Sequence, residues 1–161
     1  FHYMYLETSG DVTFTVLIEG FEAQQQWAKG GIMFRNSLSE SSSHYSMLLT
    51  PGNGLAQHYR TCQGCSTVHH GHYFYDSSVW FRIVKEGNVL RSFYKPSHIP
   101  YWTPFGAVLS MNSISSNGYY VGIAVNGHKN SQVGSLEVSN IQLSRTCSSE
   151  AITQLQCDQA S

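Results

Sequence analysis

The stretch Val12–Ile18 reads VTFTVLI, so that Val12, Phe14, Val16 and Ile18 recur at every second position with Thr13 and Thr15 between them. A spacing of two puts those four side chains on one face of an extended strand; a helix would need its apolar residues three and four apart. The same alternation returns where Phe81 and Ile83 are interleaved with Trp80 and Arg82, and again at Val121 and Ile123. No segment carries a helical repeat of any length, apart from a short one at Glu150–Gln156. The chain is therefore constrained to an all-β fold. A sheet with one apolar face needs a second layer to bury it, and Phe14, Val16, Ile32, Phe34, Phe81, Ile83, Val121 and Ile123 are the expected core.

Turn chemistry divides the rest. Trp27–Arg35 is expected to be a bent strand in which Gly30 and Gly31 mark a bulge or a close backbone approach. Asn36–Ser43 (NSLSESSS) is a polar loop, His44–Thr50 a strand, Pro51–Gly54 a turn, and Leu55–Arg60 the returning strand of a hairpin. Val79–Val84 and Val89–Tyr94 flank the connection Lys85–Asn88, a second hairpin. Lys95–Pro104 reads as a loop that presents Ile99, Tyr101 and Trp102. Strands are then expected near Phe105–Met111, Tyr119–Val125 and Val133–Leu143. About nine strands at this spacing suit a sandwich or jelly roll.

A chain of 161 residues is long enough for one domain with a sizeable core. Charged residues make up only 12% of it, while twenty-three serines and ten tyrosines supply polarity without charge. With a net charge of −1 and no run of lysines or arginines, there is no footprint for a phosphate backbone, and nucleic acid is not an expected partner. No apolar run approaches the ~20 residues needed to cross a bilayer, so no membrane insertion is expected.

Catalysis finds little support in these residues. The ten acids are scattered, and Glu19 and Glu22, the closest strand-borne pair, have an odd spacing that sends them to opposite faces, whereas glycoside hydrolysis needs two carboxylates across one bond. No G-x-S-x-G nucleophile elbow is present. Cys62-x-x-Cys65 followed by His69, His70 and His72 could hold zinc or could be a local disulfide in a histidine-rich hairpin loop. A second Cys-x-x-Cys is missing, and the disulfide is the favoured reading. Too few acids accompany Asp11 and Asp76 for a calcium cage. No catalytic residue, metal or cofactor is expected.

Taken in order, FHYMYLETSGDVTFTV, WAKGGIMFR, the TPGNG turn, WFRIVKEGNVLRSFY, the loop ending at Trp102 and YYVGIAVNGHKN resemble the concanavalin A-like (laminin G-like) β-sandwich modules of secreted and surface proteins. That resemblance implies an antiparallel two-sheet jelly roll over residues 1–145, followed by a cysteine-containing tail, 146–161. It also implies strands upstream of FHYMYL, whose absence from this sequence would leave a sheet edge to be completed by another segment, a neighbouring domain or an identical subunit. With the low charge, the resemblance points to an oxidising, extracellular compartment and two disulfides among Cys62, Cys65, Cys147 and Cys157. Three connectivities are open; the expectation is Cys62 with Cys65 and Cys147 with Cys157, because each pair is close in sequence.

For such a module the expected function is noncatalytic recognition or adhesion, with a glycan or glycoprotein surface as partner. A structural building block that assembles through its sheet edges and its tail is the alternative. Aromatic rings lie well against the C–H face of a sugar while guanidinium and amide groups take its hydroxyls. Trp80, Arg82, Tyr94, Tyr101 and Trp102 are on that ground the expected ligand-binding residues, on the outer face opposite Phe81 and Ile83.

Overall fold

The computed structural model describes residues 2–24, 27–72, 78–127 and 134–146. These form twelve strands: β1 (His2–Thr8), β2 (Val12–Ala23), β3 (Lys29–Arg35), β4 (His44–Thr50), β5 (Gly54–Arg60), β6 (Val68–His72), β7 (Val79–Glu86), β8 (Val89–Pro96), β9 (Thr103–Pro104), β10 (Leu109–Ser110), β11 (Tyr119–Asn126) and β12 (Gly134–Arg145). They make two antiparallel sheets. The first runs β1-β11-β3-β4-β5-β6; the second runs β10-β8-β7-β2-β12, with β9 added to β8. The fold is an all-β, two-sheet antiparallel sandwich, as the alternation requires.

Where the sheets face each other, β3 and β4 lie over β7. All eight residues expected in the core are buried there, joined by Tyr45, Met47, Leu55, Leu90 and Tyr119. Burying each large apolar side chain is worth about 1.5–3 kcal/mol, so the inner faces supply the main driving force. One polar group is enclosed with them. Gln57, fully buried on β5, donates to the Tyr45 hydroxyl at 2.8 Å, to Ser92 Oγ at 3.0 Å and to the Ala107 carbonyl at 3.3 Å. Its Oε1 accepts from the Ala107 N–H at 2.7 Å. This amide ties the two sheets together, and its capacity is used on both sides.

Several elements differ from the sequence expectation. Lys85 and Glu86 are not turn residues: β7 continues through them, pairing with Leu90 and Val89, and the turn is Gly87–Asn88 alone. Gly87 has φ 57°, the left-handed conformation that the first position of a two-residue hairpin turn demands. Lys85 thereby takes a core position, its ammonium bonded to the Gly87 carbonyl and to Ser116 Oγ. The histidine segment is no loop but strand β6, which pairs with β5 through His58↔His69. Residues 105–111 do not form one strand. The chain leaves the ladder between β9 and β10 at Gly106, φ 71°, where a Cβ would strike the Gln57 amide.

Gly31 marks a close approach and not a bulge, since the β3–β4 register is unbroken and a Cβ at Gly31 would stand 2.0 Å from the Met47 carbonyl oxygen. Cys62 and Cys65 are joined in a disulfide in the β5–β6 connection. Cys147, Cys157 and the helix considered at 150–156 lie outside the described residues.

Candidate functional site

On the outer face of the second sheet, the structure brings together three of the five residues expected to bind ligand. The Arg82 guanidinium lies 4.1 Å above the Trp102 ring, and its Nε donates to Thr15 Oγ1 at 2.9 Å. The Lys95 ammonium stands 5.6 Å from both the Trp80 and the Trp102 rings. Thr15, on the face opposite Phe14 and Val16, is buried under this cover. Tyr94 is elsewhere: in register with Phe81, it faces inward, packs on the core and meets Phe105 edge-on. Tyr101 is 64% exposed. The cluster closes on itself, with Arg82 already occupied by a ring and a hydroxyl.

The first sheet presents a different outer face. Register sets its side chains in rows. Arg35 on β3 stands opposite His44 on β4, and His44 opposite Arg60 on β5. Two residues further along, Met33, Ser46, His58 and His69 form the next row across β3 to β6. The third row is Ala124, Gly31, Leu48, Ala56 and Gly71. Apart from Leu48, its side chains are small and leave a floor. Above it lies a groove of about 380 Å³ lined by the first two rows together with Lys29, Glu40, Thr67 and Asn126. A second hollow of about 510 Å³ adjoins it through the shared Lys29, His58 and His69 and ends at Trp27, whose ring is 55% exposed.

The serine-rich loop 36–43 holds the charged row in place. Arg35 Nε donates to the Ser37 carbonyl at 3.1 Å, and its Nη2 donates to the Ser39 carbonyl. Arg60 Nη1 donates to the Glu40 and Ser42 carbonyls at 2.7 and 3.3 Å, and Nη2 to Thr67 Oγ1 at 3.2 Å. Main-chain oxygens thus orient the guanidinium groups. His58 Nε2 and His69 Nδ1 are 2.9 Å apart, so one nitrogen carries the proton and the other accepts it. Protonation of both of these facing nitrogens would break that bond.

Burial and the neighbouring cations set the protonation of this face. His44 is held far below the ordinary histidine value, at about 3, by its burial first and then by Arg35 and Arg60 on either side. His58 is lowered to about 4 by burial, with His69 and Lys29 adding to the effect. Burial also lowers Lys29 and Arg35. At neutral pH the groove therefore holds neutral His44 and His58 among three cations, Lys29, Arg35 and Arg60. Glu40 is the one acid among the described lining residues. Two buried polar atoms of the charged row, His44 Nδ1 and Arg60 Nε, have no hydrogen-bond partner among the described residues. No group of three or more metal-ligating side chains occurs among the described residues.

No protein-family model matches the sequence, and no curated protein matches it. Solved structures do resemble it. A protein of unknown function from Saccharomyces cerevisiae superposes with a TM-score of 0.71 at 16% identity, over 91% of this chain and 76% of that one. A GH43 protein from Bacillus licheniformis gives 0.64 at 15% identity, over 88% of this chain but 32% of its own length. A variant of human galectin-16 gives 0.54 at 7% identity, over 90% and 95%. What these proteins share with the chain is the fold. Galectins are β-sandwiches, and the galectin match runs nearly end to end on both sides.

Sequence reasoning passed over Trp27, Arg35, His44, His58, Arg60 and His69 as a group. Trp27 and Arg35 stood inside WAKGGIMFR as markers of a strand, and of these histidines only His69 was weighed, with His70, His72, Cys62 and Cys65, as a metal ligand. A signal was present in the alternation of β4 and β5. His44 and Ser46 alternate with Tyr45 and Met47, and His58 and Arg60 alternate with Gln57 and Tyr59, so polar residues fill the outward phase.

Proposed function

We propose that the chain is a noncatalytic carbohydrate-recognition module of the concanavalin A-like kind, and that it binds glycan on the outer face of the first sheet rather than at Trp80 and Trp102. The observation that carries this reading is the groove bounded by the Arg35–His44–Arg60 row and the His58–His69 row, continued to the exposed Trp27 ring. Guanidinium and imidazole groups suit sugar hydroxyls, and an indole suits the C–H face of a ring. The sandwich likeness to galectins supports it at the level of fold. The single carboxylate among the groove's described lining residues supports binding without cleavage, since hydrolysis of a glycosidic bond ordinarily needs two. A disulfide at Cys62–Cys65 fits an extracellular setting, where a glycan or glycoprotein surface is the partner.

The test is a glycan array of neutral and charged structures, probed with the intact protein, Trp27→Ala and Trp102→Ala. Retention in the range of roughly millimolar to micromolar affinity is expected, lost with Trp27→Ala and kept with Trp102→Ala. The opposite pattern would return the site to the second sheet, and no retention at all would remove carbohydrate as the ligand.

A second reading, a building block that assembles through sheet edges, is favoured by one observation. Met4 and Leu6 on edge strand β1 are in register with the core residues Ile123 and Val121, yet Met4 is 63% exposed and Leu6 45%. Sedimentation distinguishes the two: concentration-dependent association lost with Met4→Lys supports assembly through β1, and a monomer at all concentrations removes it.

A further inference from the structure

We infer that the glycan bound in this groove is acidic, a saccharide carrying a carboxylate or a sulfate ester. The inference rests on the glycan-binding reading of the same face and goes beyond it in naming the ligand class. Charge placement is the first ground. The chain has nine lysines and arginines and a net charge of −1, yet Lys29, Arg35 and Arg60 converge on one groove with Glu40 as the only acid among its described lining residues. A protein with no overall attraction for anions has concentrated positive potential at one place, and low-dielectric walls focus such a potential on whatever enters.

The second ground is independent of net charge. His44, only 7% exposed, and Arg60 leave Nδ1 and Nε without hydrogen-bond partners among the described residues. Unpaired buried polar atoms are costly, on the order of 1–3 kcal/mol each, and native proteins tolerate few of them. Arg60 Nε is a donor and nothing else, and the three hydrogen bonds made by Nη1 and Nη2 go to neutral oxygens of Glu40, Ser42 and Thr67. Among the described residues the Arg60 charge thus meets only carbonyl and hydroxyl partners. An oxyanion seated at Arg60 would supply the negative charge that its described partners lack, and planar guanidinium groups are well suited to carboxylate and sulfate oxygens.

The sugar is needed as well as the anion. The groove continues over Ala56 and Gly71 toward the Trp27 ring, a surface for the apolar face of a neighbouring residue in the saccharide. A bare inorganic anion would use the charged row and leave the rest of the groove empty. A nucleic acid would bring phosphates at every step, and the net charge of −1 gives no attraction to such a polyanion outside the groove.

The experiment is a titration of the full chain against neutral glycans, their uronate-bearing forms and their O-sulfated forms, with sodium sulfate and a short single-stranded oligonucleotide as controls. Uronate or sulfated glycans, or both, are expected to bind at least about tenfold more tightly than the neutral parents, and the preference is expected to shrink at high salt, where charges are screened. Which of the two acids binds identifies the source of the charge. Arg60→Gln is expected to abolish the preference, with its fold checked by its unfolding transition. Glu40→Gln, which removes the groove's acid from an exposed side chain, is expected to strengthen acidic-glycan binding about two- to threefold. Equal binding of neutral and acidic glycans would overturn this inference and leave the glycan reading intact. Sulfate or oligonucleotide binding as tight as any glycan would overturn it in favour of a simple anion or nucleic-acid site. Binding of nothing would overturn both.

Discussion

Lowering the pH should destabilise the protein through His44. The side chain is buried between Arg35 and Arg60 on adjacent strands, so a proton there adds a third positive charge to a row that has no room to hydrate it. In the unfolded chain a histidine titrates near 6.5; here the value falls to about 3. Between those values the unfolded chain binds the extra proton and the folded chain does not. Stability therefore rises with pH across this window, and it is lost as pH falls from about 6.5 toward 3. The slope approaches ~1.4 kcal/mol per pH unit well below 6.5, and the loss between about pH 7.5 and pH 5 comes to about 2 kcal/mol for His44 alone. His58, lowered to about 4 and less enclosed, adds in the same direction. Carboxylates with ordinary values near 4 contribute little above pH 5. Urea unfolding across this range, on the native chain and on His44→Asn, isolates the effect: the native chain should lose about 2 kcal/mol more than the variant. Parallel losses in the two proteins would refute the reasoning, because they would mean that His44 charges as easily folded as unfolded.

Gly31→Ala should cost more than about 2 kcal/mol, because the new Cβ would stand 2.0 Å from the Met47 carbonyl and 2.9 Å from the Leu48 Cα, neither of which can rotate away. Gly20→Ala, with open space around it, should stay within about 0.5 kcal/mol in the same urea experiment. Gln57→Leu should cost about 2–4 kcal/mol, since the Ala107 N–H, otherwise bonded to Oε1, would be left unpaired; a smaller loss in thermal unfolding would mean that the amide bridge does not hold the sheets together. Trp102→Ala should lower stability by about 1 kcal/mol by uncovering Arg82 while leaving glycan retention unchanged, and a stability equal to the native chain's would show that the stack carries no energy.

The core was legible because period two is unambiguous. Once Phe14, Val16, Phe81 and Ile83 are assigned to one face, burial follows from the need for a second layer, and all of them are buried. The outer faces were less legible because the same period says only that a residue points away from the core, not what lies beside it. Trp80, Arg82 and Trp102 do meet, but Thr15 arrives from β2 and Lys95 from β8 to complete the cluster. Thr15 and the Trp102 ring engage the Arg82 guanidinium, which in the sequence looked available. Tyr94 was misplaced by proximity in sequence, since its register with Phe81 puts it on the inner side.

The groove on the first sheet marks how far register can be carried from sequence. TPGNG closes a tight turn in which Thr50 faces Gly54, with the Thr50 hydroxyl donating to the Gly54 carbonyl. Counting outward from that pair puts Leu48 opposite Ala56, Ser46 opposite His58 and His44 opposite Arg60, so half of the basic row follows from one turn motif. The other half does not. Arg35 is separated from His44 by the polar loop 36–43, and a loop of that length fixes no register by itself. What fixes it is the set of carbonyl oxygens at Ser37, Ser39, Glu40 and Ser42 that hold Arg35 and Arg60. The serine-rich segment, which in the sequence looked like a mere connection, is thus the part of the chain that brings two guanidinium groups to either side of a buried histidine.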